Sequence, residues 1–153
     1  WVHPQSIALK SDEDMQQWRN ATRYIYTHVQ GYAYAQAHRN AHAMPMSDLV
    51  LGCIVEGTGK KVRGYIEIKT PDNRIGYVRQ DEVQELKSWS QQKPNMLRLE
   101  QEARMMMGTT YLWGGLSPKG ADCSGYTKLL YFSVSFAQLP SEKSTYASSI
   151  ITT

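Results

Sequence analysis

The sequence lacks any long apolar segment, and this absence limits how the chain can meet a membrane. None of its 153 residues belongs to an apolar run of 18 residues, so the sequence predicts no membrane-spanning helix. The chain does not begin with methionine, and its first residues have neither the basic nor the apolar region of a signal peptide. We therefore expect that upstream sequence has been removed.

An excess of charge of one sign is also missing. The chain has 17 Lys and Arg against 14 Asp and Glu, a net charge of +3, and no basic run longer than Lys60-Lys61. This excludes the basic footprint of a nucleic-acid-binding protein, although a slight positive charge suits an anionic cell wall. A hydrophobic content of 41 % is typical of one globular domain or two small ones.

Cysteine and histidine are scarce. Cys53 lies in the apolar run Leu49–Val55, which indicates a core position, so we expect no disulfide with Cys123. Two free thiols are compatible both with the cytoplasm and with an exported enzyme that has a catalytic cysteine. His38 and His42 have the spacing of two metal ligands on a helix, but no third ligand lies near them. We interpret this segment as a surface loop and predict neither a metal nor a cofactor.

Cys123 has the sequence surroundings of a nucleophile. It lies in Ala121-Asp-Cys-Ser-Gly125, directly before the apolar run 126–132, which predicts a helix that begins at the cysteine. A helix N-terminus favours thiolate over thiol, and its free N–H groups can stabilise the oxyanion of an acyl transfer. The alternative is a buried structural cysteine on one face of the helix.

Two sequence motifs carry a family resemblance. The pattern Tyr111-x-Trp-Gly-Gly115, followed by Gly120-x-Asp-Cys-Ser-Gly125, resembles the NlpC/P60 cysteine peptidases of bacterial cell walls. Ser47-Asp-Leu-Val-x-Gly52 and residues 71–78 resemble their bacterial SH3 domains. The resemblance implies an α+β chain: a small SH3-like β-barrel followed by the N-terminal helical part of a papain-like NlpC/P60 domain.

The resemblance also implies an activity and a site. The closest subgroup is that of the γ-D-glutamyl-L-diamino-acid endopeptidases of the dipeptidyl-peptidase VI type, which act on peptidoglycan stem peptides. Cys123 would be the nucleophile, and Tyr111 would help its backbone N–H to form the oxyanion hole. The residues implied to bind substrate are Trp113, Asp122, Ser124 and Glu142.

Two departures from the family pattern bear on activity. The family's Leu-Pro-Arg-Asp is Leu139-Pro-Ser-Glu142 here, so Glu142 would replace an acidic residue that binds the substrate's amine. The family's catalytic histidine follows the cysteine by several tens of residues, but only 30 residues follow Cys123 and none is His. We expect a C-terminally incomplete domain that does not hydrolyse wall peptides at a useful rate. The alternative is a non-catalytic SH3-like module that binds peptidoglycan.

The order of patterns along the chain predicts three regions: an N-terminal helix and linker at 1–20, the barrel at 21–88 and the peptidase portion at 95–153. A helix is predicted to begin at Ser11-Asp-Glu-Asp14, and another at 95–107 has Met96, Leu99, Ala103 and Met106 on one face. Residues 88–94 form the predicted linker, with Trp89 packed between the domains.

The predicted barrel rests on several short strands. The candidates are 24–29 and 32–35 separated by Gln30-Gly31, a loop at 41–47, an apolar strand over 48–56 in which Gly52 marks a bulge or a close approach, a turn at 57–59, and strands at 62–69 and 75–78. The tyrosines of the first two are interpreted as core and sheet face rather than as a sugar or peptide platform. The implied location is periplasmic or extracellular, with the cytoplasm left open, and the oligomeric state is not predicted.

Overall fold

The computed structural model describes residues 7–37, 44–93 and 95–135. Within these ranges no helix is both long enough and apolar enough to cross a membrane. A single 3₁₀ turn at Gln80–Glu82 joins two strands. The other elements are α1 (Asp12–Asn20), β1 (Arg23–Tyr26), β2 (Gln30–Tyr34), β3 (Pro45–Val50), β4 (Ile54–Val62), β5 (Tyr65–Lys69), β6 (Ile75–Arg79), β7 (Val83–Glu85), α2 (Leu86–Ser90), α3 (Met96–Met105), β8 (Leu116–Ser117), β9 (Gly120–Ala121) and α4 (Cys123–Ser135).

The start of α1 follows from local chemistry. The Ser11 hydroxyl accepts a hydrogen bond from the Asp14 N–H, and the Asp14 carboxylate accepts one from the Ser11 N–H. This reciprocal pair satisfies two backbone donors that a helix start leaves free. The predicted helix at this position is confirmed.

β1 to β7 form one antiparallel sheet in the order β3-β2-β6-β5-β4-β1-β7. The prediction of a closed barrel is not met within the described residues, because the edge strands β3 and β7 are not hydrogen-bonded to each other. The sheet is nevertheless strongly curled. Tyr26 of β1 reaches β2, four positions away in the sheet, where a Cβ on Gly31 would overlap its hydroxyl.

The curl encloses a small apolar core. Side chains from six strands meet there and are removed from water, which stabilises the curled form. The buried members of this core are Tyr26, Ala33, Leu49, Val55, Ile66, Ile68 and Val78.

Several predicted strand boundaries were wrong. The segment 48–56 is not one strand, because the chain turns at residues 51–53 and Gly52 has a φ of 90°, which only glycine adopts readily. The predicted turn at 57–59 lies inside β4, where the pairing with β5 shifts register between Gly57 and Lys61. Gln30 and Gly31 do not separate two strands, because both belong to β2. The loop predicted at 41–47 ends before residue 45, because Pro45 begins β3.

The first three residues of the predicted linker, 88–90, belong to a helix. Residues 86–90 form α2, and Trp89 is only 4 % exposed. Its ring lies against Phe132 of α4, with centroids 5.4 Å apart, and the same cluster contains Ile25 of β1 and Leu86. The expectation that Trp89 packs between the two parts is therefore confirmed.

α3 and α4 pack beside the sheet. The Asn95 side chain caps α3 by accepting from the N–H groups of residues 97 and 98, and Met106 is buried as its periodicity predicted. Met96 is exposed instead, so the apolar face is shorter than predicted. The Tyr126 hydroxyl of α4 donates to the Ala103 carbonyl of α3 over 3.0 Å. This hydrogen bond fixes the two helices against each other.

Candidate active site

Cys123 is the first residue of α4 and is exposed. The sequence prediction of a cysteine at a helix start is thus confirmed, and the alternative of a buried structural cysteine is wrong. Its backbone N–H makes no hydrogen bond within the described part of the chain. An exposed sulfur and a free N–H on the same residue are what an acyl-transfer nucleophile with its own oxyanion donor requires.

Asp122 fixes the start of this helix. Its Oδ1 accepts from the Gly125 N–H at 2.7 Å and from the Ser124 hydroxyl at 2.8 Å, and its Oδ2 accepts from the Gly114 N–H at 3.1 Å. The Gly125 N–H contributes most to lowering the pKa of Asp122 below its usual range, followed by the Ser124 hydroxyl. The carboxylate caps α4 and also ties the preceding loop to it.

Glycines let this loop approach the helix. A Cβ on Gly125 would overlap the Gly115 carbonyl oxygen, and one on Gly115 would overlap the Gly120 carbonyl oxygen. Gly114 has a φ of 75°, a conformation in which most side chains are strained. Glycine is therefore needed at three positions of the motif: Gly115 and Gly125 for close contact, and Gly114 for its backbone conformation.

Tyr111 and Trp113 lie on the loop in front of α4. The Tyr111 backbone bridges to Ala121, two residues before the cysteine, and the Leu112 N–H donates to the Ala121 carbonyl. Both aromatic side chains face solvent, Tyr111 at 64 % and Trp113 at 87 % exposure. The structure thus brings Tyr111, Trp113, Asp122, Cys123 and Ser124 into one segment.

The sheet contacts this segment through β3 and the turn that follows it. The ammonium of Lys119, between β8 and β9, forms an ion pair with the Asp48 carboxylate of β3. Leu51 packs with Leu129 and Leu130 of α4, and a Cβ on Gly52 would lie 3.0 Å from the Phe132 ring. The sheet therefore borders the helix that carries Cys123.

No histidine is placed beside the cysteine within the described residues. His28 is exposed in the bend between β1 and β2, with its ring 6.1 Å from that of Tyr26. His3, His38, His42 and Glu142 lie outside the described residues. The ranges 7–37, 44–93 and 95–135 also contain no group of three or more side chains suited to a metal ion.

Some features of the site were not foreseen from sequence. The Asp48–Lys119 ion pair joins residues far apart in the chain, and no local pattern signals it. The sequence showed Gly115, Gly120 and Gly125 only as glycines inside a motif. The structure explains why glycine is needed there, because the backbones of separate elements come into contact at these positions.

Comparisons with known proteins agree with this geometry. Residues 108–151, which include Cys123, match the model of the NlpC/P60 family. The chain is 52 % identical over 33 residues to Protein P54 of Enterococcus faecium, a match that covers 22 % of this chain and 6 % of that protein. It also resembles the crystal structure of an NlpC/P60 family protein from Bacillus cereus, with a TM-score of 0.63 and 16 % identity.

The structural match covers 82 % of this chain and 40 % of the Bacillus protein. At that identity the likeness shows the fold alone. The chain spans less than half of the solved structure and a small part of the curated relative.

Proposed function

We propose that this chain carries the nucleophile of a cysteine peptidase that cleaves bacterial cell-wall peptides. The observation that supports the proposal most is the exposed Cys123 at the first position of α4, whose backbone N–H has no partner among the described residues. The NlpC/P60 match over residues 108–151 contains this cysteine, and members of that family are generally cysteine peptidases.

The proposed reaction proceeds in two steps. The Cys123 thiolate attacks the carbonyl carbon of the γ-D-Glu–diamino-acid amide, and the Cys123 N–H with Tyr111 receives the oxyanion. The leaving nitrogen takes a proton from water as the carbon–nitrogen bond breaks, the amine of the diamino acid leaves, and a thioester remains on the sulfur. Water then attacks the thioester, which releases the γ-carboxylate and restores the thiol.

The other site residues have proposed roles around this centre. Trp113 forms a wall of the cleft, since most of its ring is open to solvent. Ser124 and Asp122 lie close enough to the sulfur in sequence to contact the stem peptide, although both are also hydrogen-bonded to each other. Glu142, by resemblance, binds the substrate's free amine.

The sheet is proposed to act as an SH3-like domain that shortens the cleft. It borders the segment of the nucleophile through the Asp48–Lys119 ion pair and through Leu51. A fixed border of this kind would favour short stem peptides with a free N-terminal L-Ala. The proposed location is the cell envelope.

A second candidate function is a module that binds wall peptides without cleaving them. It rests on one observation about the 153 residues themselves, among which none after Cys123 is a histidine that could act as the base. General acid–base help contributes roughly 10²–10⁴-fold to such reactions, so a sulfur without a base reacts slowly.

Chemical rescue distinguishes the two. The 153-residue chain is incubated with L-Ala-γ-D-Glu-diamino-acid peptide, with and without imidazole, and release of the diamino acid is measured. The enzyme proposal predicts slow release that imidazole accelerates and that Cys123→Ser abolishes. If the unmodified chain and Cys123→Ser bind the peptide equally well and imidazole causes no release from either, the enzyme proposal is contradicted and the binding module is supported.

A further inference from the structure

The hairpin of β4 and β5 ends in a cluster of exposed cations. Arg63 and Gly64 have φ values of 52° and 84° and form the two-residue turn between the paired residues Val62 and Tyr65. Lys60, Lys61, Val62 and Arg63 are all exposed. We call residues 60–64 the basic tip.

The cations of the basic tip differ from those elsewhere on the sheet. Lys69 pairs with Glu56, Arg74 with Asp72, and Arg79 with Asp81 and Glu82. Lys60 contacts Glu67 at 3.3 Å, yet its side chain remains 73 % exposed. Lys61 and Arg63 have no acidic partner within the described part of the chain. Arg23 of β1 is half-buried and lies over the Trp18 ring, so the exposed cations of the described sheet that lack an acidic partner are concentrated at the tip.

The basic tip is also remote from the cysteine along the sheet. β4 begins just after the turn at 51–53 that packs against α4, and it runs nine residues to Val62. At about 3.3 Å per residue, β4 places roughly 25 Å of strand, measured along the chain, between that contact and the tip. A ligand at the tip would not occupy the cleft at Cys123.

We propose that the basic tip binds the surface of an anionic phospholipid bilayer. Each Lys or Arg held near such a surface raises the partition coefficient about fivefold, so Lys61 and Arg63, the two cations of the tip without an acidic partner among the described residues, give about a 25-fold preference over a neutral bilayer. Val62 lies between Lys61 and Arg63 and is 38 % exposed. At a bilayer its apolar side chain leaves water while the cations stay at the headgroups, whereas a soluble polyanion would leave Val62 in water.

The test is co-sedimentation of the full chain with phosphatidylglycerol vesicles and with phosphatidylcholine vesicles at low salt. The tip variant is Lys61→Gln with Arg63→Asn, which creates the Asn-Gly sequence that suits a two-residue turn of this conformation. The control variant is Lys87→Gln with Lys93→Gln. It removes the same charge from two exposed lysines that have no acidic partner among the described residues.

We expect about a 25-fold preference of the chain for phosphatidylglycerol, loss of nearly all of that preference in the tip variant, and at most a small loss in the control. Equal losses in the two variants, or no preference for the anionic vesicles, would overturn the proposal. Binding to soluble polyphosphate without binding to vesicles would overturn it in favour of a polyanion. The assay contains no wall peptide and is repeated with Cys123→Ser, so its outcome is independent of the proposed peptidase activity.

Discussion

The two cysteines of the chain lie in opposite surroundings. Cys53 is partly buried against the apolar core of the sheet, and its sulfur accepts a hydrogen bond from the Val50 N–H at 3.4 Å. Burial raises the pKa of the Cys53 thiol above its usual range, more than this hydrogen bond lowers it. Cys123 is exposed at the N-terminus of α4.

This difference predicts selective alkylation of Cys123. With limiting iodoacetamide, we expect Cys123 to react at least about tenfold faster than Cys53, because the thiolate is the reacting species and burial both disfavours and shields it. Peptide mapping by mass spectrometry measures the two rates, with Cys53→Ala as the control that isolates Cys123. Faster labelling of Cys53 in the folded chain would show that the sulfur environments are assigned wrongly.

Asp122 predicts a pH-dependent contribution to stability. Its pKa in the folded chain is lowered, first by the Gly125 N–H, so its stabilising effect is complete above the unfolded pKa. The effect is lost as the pH falls through the folded pKa, below about pH 4. We expect Asp122→Ala to lower the melting temperature most near neutral pH. The difference in melting temperature between the variant and the unmodified chain should become smaller in acid.

Thermal unfolding monitored by circular dichroism over this pH range measures the effect. Asp122→Asn is the matched control, because asparagine can still cap the helix but does not titrate. A gap for Asp122→Ala that stays constant from about pH 7 to about pH 3 would contradict a role for the charged carboxylate.

At the scale of elements, the loop before α4 is shaped by backbone contact. Alanine inside a helix normally stabilises it relative to glycine by about 0.5–1 kcal/mol. Gly125→Ala should have the opposite sign, because the new Cβ overlaps the Gly115 carbonyl oxygen. We expect a loss of roughly 1–3 kcal/mol in the free energy of unfolding, typical of overpacking.

Denaturant unfolding compares Gly125→Ala with Thr127→Ala, an exposed position on the same helix. The threonine variant should change stability by less than about 1 kcal/mol. A Gly125→Ala chain that is more stable than the unmodified one would mean that the loop does not rest on the helix.

Helices were predictable from sequence where local chemistry decides them. Ser11 and Asp14 form a capping pair within four residues, and Cys123 precedes an apolar run long enough for a helix. Strands were less predictable, because their limits depend on partners elsewhere. The turn at 51–53 and the bulge after Gly57 interrupt apolar or β-type sequence for reasons of tertiary pairing. Within the described residues, the edge strands β3 and β7 do not pair to close the barrel. Whether they pair depends on the whole sheet and not on local sequence.

At the scale of the whole molecule, two apolar clusters join the sheet to the helices. One centres on Trp89 and Phe132, and the other places Leu51 against Leu129 and Leu130. We expect Trp89→Ala to lower the free energy of unfolding by about 3–5 kcal/mol, and sheet and helices to unfold in a single transition.

Denaturant titrations followed by far-ultraviolet circular dichroism and by tyrosine fluorescence test this coupling. Trp113→Ala is the control, since it removes the same side chain from an exposed position and should change stability by less than about 1 kcal/mol. Two separate transitions, with only one shifted by Trp89→Ala, would show that the two parts fold independently.

The candidate site was predictable as far as its residues adjoin one another in sequence. The motif from Tyr111 to Gly125 was sufficient to locate the exposed sulfur and the helix start. Two contacts of the site could not be predicted without the fold. They are the ion pair of Lys119 with Asp48 of β3 and the hydrogen bond from the Gly114 N–H to Asp122, and each joins residues that are separated along the chain.

The central claim, that Cys123 is an acyl-transfer nucleophile, is tested most directly by intact-protein mass spectrometry after incubation with a γ-glutamyl stem peptide and imidazole. The account predicts a mass increase equal to the acyl portion of the peptide, mapped to Cys123, removed by hydroxylamine and absent from Cys123→Ser. No adduct under conditions in which the peptide demonstrably binds, or an adduct mapped to Cys53, would contradict it.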